Sequence, residues 1–286
     1  MERHLETLFD LQTGYDEARI VVFGAPFDST TSYRPGARFA GRVMRAESYG
    51  LETFSPYQEA DLSEASVYDG GELELAIGDS GLALNTIKNY ADKVMSDDKF
   101  PFMLGGEHLV SLGAIQAAVE KFPDLKLIHF DAHADLRDEY LGVKLSHASV
   151  IRRAWDILGD GRIFQFGIRS GERSEFEWAK THTSLYKLGF SDLRSALREI
   201  GDCPVYLTVD LDVLDPSIFC GTGTPEAGGV SFSSLMAAIL TVVDKARPVG
   251  MDLVELCPPY DPSGMSTAVA LKILRETLIA LHKKGA

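Results

Sequence analysis

The chain has 286 residues, an ordinary apolar content of 45% and a net charge of −14. That length allows one large α/β domain or two small ones with a full core, and the acidity disfavours nucleic acid or an anionic membrane as partner. No apolar run reaches the ~18 residues of a membrane span, and three scattered cysteines (Cys203, Cys220 and Cys257) argue against a disulfide framework or a thiolate zinc site.

From the N-terminus, Met1–Asp16 is acidic and lacks the basic-then-apolar pattern of a secretory signal, so a cytoplasmic location is expected. The first short apolar run, Ile20–Gly24, reads as a strand, followed by helical spacing near Arg42–Tyr49 and Gly81–Met95. A strand at Phe100–Leu104 runs into Gly105-Gly106-Glu107-His108 and a helix near Leu109–Lys121. The next strand, Leu125–Phe130, ends in Asp131-Ala132-His133-Ala134-Asp135, and Ser146-His147 leads into a helix near Ala148–Leu158. Strand Ile163–Ile168 and helices near Glu172–Lys180 and Leu193–Ile200 come before strand Val205–Val209, which ends in Asp210-Leu211-Asp212. The loop Cys220–Gly229, a helix near Ser233–Ala246, strand Val249–Leu253 leading to Glu255, the loop Cys257–Gly264 and a helix near Met265–Lys284 complete the chain. Strands alternating with helices predict right-handed βαβ units and a parallel sheet covered on both faces. With no repeat, low-complexity tract or linker, residues 1–286 read as one domain.

The polar clusters all follow strands. Open parallel sheets bind ligands outside the carboxyl ends of their strands, so the clusters converge on one edge. His108, Asp131, His133, Asp135, Asp210 and Asp212 are the candidate metal ligands. Buried side by side, such carboxylates repel unless a cation sits among them. There are more donors than one ion takes from protein, and about enough for two ions sharing carboxylates. An oxygen-rich set with two imidazoles and no thiolate suits Mn²⁺ first, then Mg²⁺, Co²⁺, Fe²⁺ and Zn²⁺. Water between two such ions yields hydroxide near neutral pH, a nucleophile for a resonance-stabilised carbon. His147 is the expected proton shuttle, and Glu255 the expected anchor for a cationic substrate head. His129 reads as core, and Glu107 as a supporting or structural residue. His4, His182 and His282 carry no case.

These motifs resemble, in order and over nearly the whole chain from about Ile20, the signatures of the ureohydrolases, the family of arginases and agmatinases. The resemblance implies a three-layer α/β/α fold with a mostly parallel eight-stranded sheet. It implies two manganese ions per chain and hydrolysis of a guanidino group to urea and an amine by a metal-bridging hydroxide. Position by position, His108, Asp131, Asp135 and Asp210 would hold one ion and Asp131, His133, Asp210 and Asp212 the other. Asp135 would also pass a proton to the leaving amine. The run Asp138-Glu139-Tyr140 and Ser146-His147-Ala148 resembles bacterial and archaeal agmatinases. Asp138 and Glu139 are expected to disfavour a carboxylate tail, which makes agmatine the leading substrate, with conversion to putrescine. Guanidinobutyrase, formiminoglutamase, arginase or a non-catalytic binding module are the alternatives. Cys220 and Ala227 depart from the family pattern beside the expected tail site. A trimer or hexamer is the implied assembly.

Overall fold

The computed structural model describes residues 7–285, so His4 lies outside the described residues. The strands in chain order are β1 (Ile20–Ala25), β2 (Phe54–Ser55), β3 (Ala60–Asp61), β4 (Val67–Glu72), β5 (Phe100–Gly105), β6 (Lys126–Phe130), β7 (Ile163–Ile168), β8 (Ser184–Lys187), β9 (Pro204–Asp210) and β10 (Arg247–Val254). The helices are α1 (Ala40–Glu47), α2 (Ser80–Ser96), α3 (Ser111–Lys121), α4 (Val150–Leu158), α5 (Arg173–His182), α6 (Leu193–Ile200), α7 (Phe232–Lys245) and α8 (Met265–Lys284). Eight strands form one sheet in the order β4-β1-β5-β10-β9-β6-β7-β8, and every neighbouring pair is parallel. β2 and β3 form a separate short antiparallel pair.

Side chains alternate across the sheet and build two cores. Val22 packs with α1, α6, α7 and α8 on one face, whereas the next residue, Phe23, packs with α2, α3, α4 and α5 on the other. Each fully buried Val, Ile or Phe contributes roughly 1.5–3 kcal/mol, which is why β1, β5, β6, β7 and β9 are almost continuously apolar. The expected three-layer α/β/α architecture is therefore present. The edge strands β4 and β8 are not among the apolar runs of the sequence. Each pairs on one side alone, is half-buried and lacks a continuous apolar run.

The topology sets where the site lies. β5 and β6 are consecutive in the chain, yet β10 and β9 lie between them in the sheet. The four adjacent central strands are therefore those that end in Gly105–His108, Glu255, Asp210–Asp212 and Asp131–Asp135. Gly106 makes the junction possible: a Cβ there would lie 1.9 Å from the carbonyl oxygen of Phe27 in the loop after β1.

Candidate metal centre and active site

His108 begins a short 3₁₀ turn between β5 and α3. Its Nδ1 lies 2.9 Å from Asp131 Oδ2, 3.2 Å from Asp135 Oδ2 and 3.3 Å from Asp210 Oδ2. The surrounding hydrogen bonds assign its tautomer. Thr208 Oγ1 donates to Asp252 Oδ1 at 2.7 Å, so it accepts from His108 Nε2 at 3.0 Å. Nδ1 then carries a lone pair aimed at three carboxylate oxygens, and it is a buried atom with no hydrogen-bond partner. Lone pairs converging at such distances repel, and a divalent cation between them turns that repulsion into coordination.

A second convergence lies beside the first. His133 Nδ1 is 3.0 Å from Asp212 Oδ2 and 3.4 Å from Asp131 Oδ1. Asp131 thus turns one oxygen to each cluster. Asp210 turns Oδ2 towards His108, and its Oδ1 accepts from the Asp212 N–H at 2.8 Å. The expected ligands are brought together as two groups meeting at Asp131. No thiolate is present, so the set fits two hard or borderline cations such as Mn²⁺.

His129 corrects its reading as a plain core residue. Residues i and i+2 of a strand share a face, so its ring points the same way as Asp131. Its Nε2 lies 2.7 Å from Asp131 Oδ2, close enough to count as a further ligand by distance. However, Gln165 Nε2 donates to His129 Nδ1 at 3.0 Å and to the Ala134 carbonyl at 2.8 Å. His129 Nε2 therefore carries its hydrogen towards Asp131 and orients that carboxylate rather than ligating.

Without a cation, the carboxylates are held unequally: against the effect of burial, neighbouring histidines keep Asp131 well below the usual carboxylate range, whereas Asp135 and Asp210 are raised. Burial and then the charge of Asp131 push the Asp135 carboxyl up to about 7. Burial, followed by Asp212 and Asp131, holds Asp210 well above the usual carboxylate range. Burial also lowers His147 to about 4, so its imidazole is neutral at pH 7.

Glu255 follows β10 at φ 64°, and Asp135 has φ 53°, both in the left-handed region that most side chains avoid. Asp tolerates that conformation better than Glu, so Glu255 is the more strained of the two. Glu255 Oε1 accepts from the His108 backbone N–H at 2.8 Å. A cavity of about 260 Å³ opens over this edge, lined by His108, His133, Asp135, Asp210 and Glu255 at its base and by Ser32, His147 and Thr224 around it.

The outer wall departs from expectation. Asp138 and Glu139 do not line this cavity; they face an adjacent groove, and Asp138 pairs with Arg153 at 2.9 Å. The turn after Asp135 swings them outward. Arg137 and Tyr140 line the wall instead, together with Glu172 and Glu175 from the connection after β7 and from α5. Arg137 lies 3.0 Å from Glu172, 3.8 Å from Glu175 and 4.6 Å from the centre of the Tyr140 ring. Cys220 and Ala227 are exposed and do not line the cavity. Arg169 braces the opposite loop, donating to the Asp212 carbonyl at 2.8 Å and the Glu226 carbonyl at 2.7 Å.

Comparison with known proteins decides the family. Residues 18–280 match the arginase family model. The chain belongs to the arginase family. It is a ureohydrolase, and it resembles bacterial and archaeal agmatinases. The agmatinase of Bacillus cereus is 44% identical over 94% of this chain and 94% of its own length. A solved structure from Clostridium difficile, described as a candidate agmatinase, superposes with a TM-score of 0.92 at 47% identity, covering 96% of this chain and all (100%) of that one. The agmatine ureohydrolase of Thermoplasma volcanium superposes with a TM-score of 0.88 at 36% identity, covering 99% and 96%.

Proposed function

We propose that this ureohydrolase converts agmatine to putrescine and urea with two divalent cations, Mn²⁺ being the ion its donors suit best. His108, Asp131, Asp135 and Asp210 would hold one cation and Asp131, His133, Asp210 and Asp212 the other. Such a pair, when loaded, lowers the pKa of a water molecule from about 15.7 towards roughly 7 and so supplies a nucleophile at neutral pH.

The chain's own residues do the rest. Glu255, at the base of the cavity beside the candidate ligands, would anchor the planar guanidinium by charge-assisted hydrogen bonds. Asp135 orients the attacking group and carries a proton to the leaving amine as the C–N bond breaks. When the next water is ionised for a further turnover, His147, neutral and at the rim, would take up the released proton and pass it to solvent.

The observation that carries the choice of agmatine is the charge of the cavity's outer wall. Glu172 and Glu175 line the outer part of the cavity, where a bound substrate's far end would lie, and Arg137 is already paired with both. A cationic amine suits that wall, whereas a carboxylate tail would meet two acids and an arginine already occupied. Similarity to agmatinases supports the same choice. We further propose a single-domain homo-oligomer, a trimer or hexamer, working in the cytoplasm. Among the described residues no helix is long and apolar enough to cross a membrane.

The test is urea release from agmatine, arginine, guanidinobutyrate and formiminoglutamate by manganese-loaded protein. Agmatine should exceed arginine in kcat/KM by roughly ten- to a hundredfold, the scale of one charge-assisted contact. Equal values for the two would overturn the agmatine assignment and leave the ureohydrolase one standing.

A further inference from the structure

We infer that the Thr30 hydroxyl, held by the buried carboxylate of Glu107, is the positioning group for His147. The inference rests on the reading of His147 as the proton carrier. Glu107 is fully buried between the strand end that carries His108 and the loop after β1. Its oxygens are taken up by that loop. Oε1 accepts from Thr30 Oγ1 at 2.6 Å, Oε2 accepts from Thr31 Oγ1 at 2.9 Å, and both share the Thr30 N–H at 3.1–3.2 Å.

This arrangement fixes a direction. A hydroxyl has one hydrogen, and Thr30 spends it on Glu107. Its oxygen is then left as an acceptor, and the backbone N–H of His147 donates to it at 3.1 Å. That N–H belongs to the first turn of the 3₁₀ segment His147–Ser149 leading into α4, where backbone donors lack a partner within the helix. Thr30 supplies the missing acceptor across 117 residues of sequence. Two residues on, Ser32 Oγ lies 3.5 Å from His147 Nε2, so one short segment touches the histidine at its backbone and at its ring. Asp28 anchors the same loop by accepting from the Gly36 N–H at 2.7 Å and from Arg38.

The link has chemical consequences because His147 lines the cavity from the rim, where a small displacement changes its reach. Misplacing a catalytic group by about 1 Å can cost on the order of a hundredfold in rate. Gly106–His108 thereby ties together a candidate ligand (His108), the Glu255 carboxylate bonded to its N–H, and, through Thr30, the proton carrier.

Three near-isosteric variants of the full manganese-loaded chain test this, on whichever guanidino compound the wild type turns over best. Thr30→Val removes the relay, Thr30→Ser keeps it, and Thr31→Val removes a Glu107 contact that does not lead to His147. Thr30→Val should lower kcat roughly tenfold or more with KM and metal content unchanged, while Thr30→Ser restores it to within about threefold and Thr31→Val loses less than about threefold. Combined with His147→Asn, Thr30→Val should add no further loss, because both act on one group. Wild-type kcat in Thr30→Val, an equal loss in Thr31→Val, or losses that multiply in the double variant would each overturn the inference. Crystal structures supply a second readout: the imidazole should move in Thr30→Val and stay in Thr31→Val, and an unmoved ring in Thr30→Val refutes the positioning role. Absence of urea release from every compound would instead remove the proposed function, leaving the crystal structures to decide the positioning question.

Discussion

Glu255 and Asp131 are the residues at which the proposed chemistry is most exposed to test. Glu255 commits Oε1 to the His108 N–H and lines the cavity. Glu255→Gln preserves its shape and removes its charge. Charge-assisted hydrogen bonds are worth about 1.5–3 kcal/mol, so kcat/KM for agmatine should fall roughly ten- to a hundredfold. Steady-state kinetics at unchanged metal content check this, and an unaltered kcat/KM would take Glu255 out of guanidinium recognition. Asp131 faces both clusters with separate oxygens, whereas His133 faces one. Elemental analysis should accordingly find both ions lost from Asp131→Ala and chiefly one from His133→Ala; retention of one full equivalent by Asp131→Ala would argue against a shared ligand. The clusters were legible in the sequence because several acids and imidazoles at strand ends have few apolar explanations. The supporting residues were less so. Thr208 and Gln165 sit inside strands that read as core, and only the i, i+2 spacing of His129 and Asp131 hinted that they share a face. The outward turn of Asp138 and Glu139 follows the left-handed conformation of Asp135, and the wall acids Glu172 and Glu175 come from the distant connection after β7 and from α5; spacing alone reveals neither.

Among the secondary-structure elements, the junction after β5 is the least tolerant. Gly106 packs against the Phe27 backbone with no room for a methyl group, and backbone cannot yield as a side-chain tip can. Gly106→Ala should therefore displace Glu107 and His108 together, lowering both thermal stability and manganese stoichiometry. Gly14→Ala, at a position with no neighbour within 4 Å, is the matched control. Normal metal content in Gly106→Ala would mean that the loop after β1 moves without consequence. The central strands were readable as apolar runs because both faces are covered. β4 and β8 were not, because an edge strand buries less and tolerates Asp, Gly, Ser and Lys. Their existence followed from the family resemblance and not from their own residues. Helix boundaries were read to within a few residues throughout; the expected starts near Leu109 and Ala148 fall in the 3₁₀ turns that precede α3 and α4 and carry His108 and His147.

For the molecule as a whole, the carboxylate cluster links metal loading to stability and pH. The Asp135 carboxyl rises from 3.8 to about 7 in the folded, metal-free chain. Between those values the unfolded chain binds fewer protons than the folded one, so metal-free stability falls as pH rises through that window, and the penalty is complete above about 7. Bound cations remove the repulsion and bind more tightly as protons leave. The gap in Tm between manganese-loaded and chelator-treated protein should thus widen from pH 5 to pH 7.5, as followed by calorimetry. A constant gap would show that the cluster is not under electrostatic strain. The strand order has a further consequence, for synthesis. β9 and β10, residues 204–254, are translated after β5–β8 yet occupy the middle of the sheet. The sheet between β5 and β6 can close only after residue 254 has been made. The donors from β5, β6, β9 and β10 therefore come together only when the last strand inserted closes the sheet.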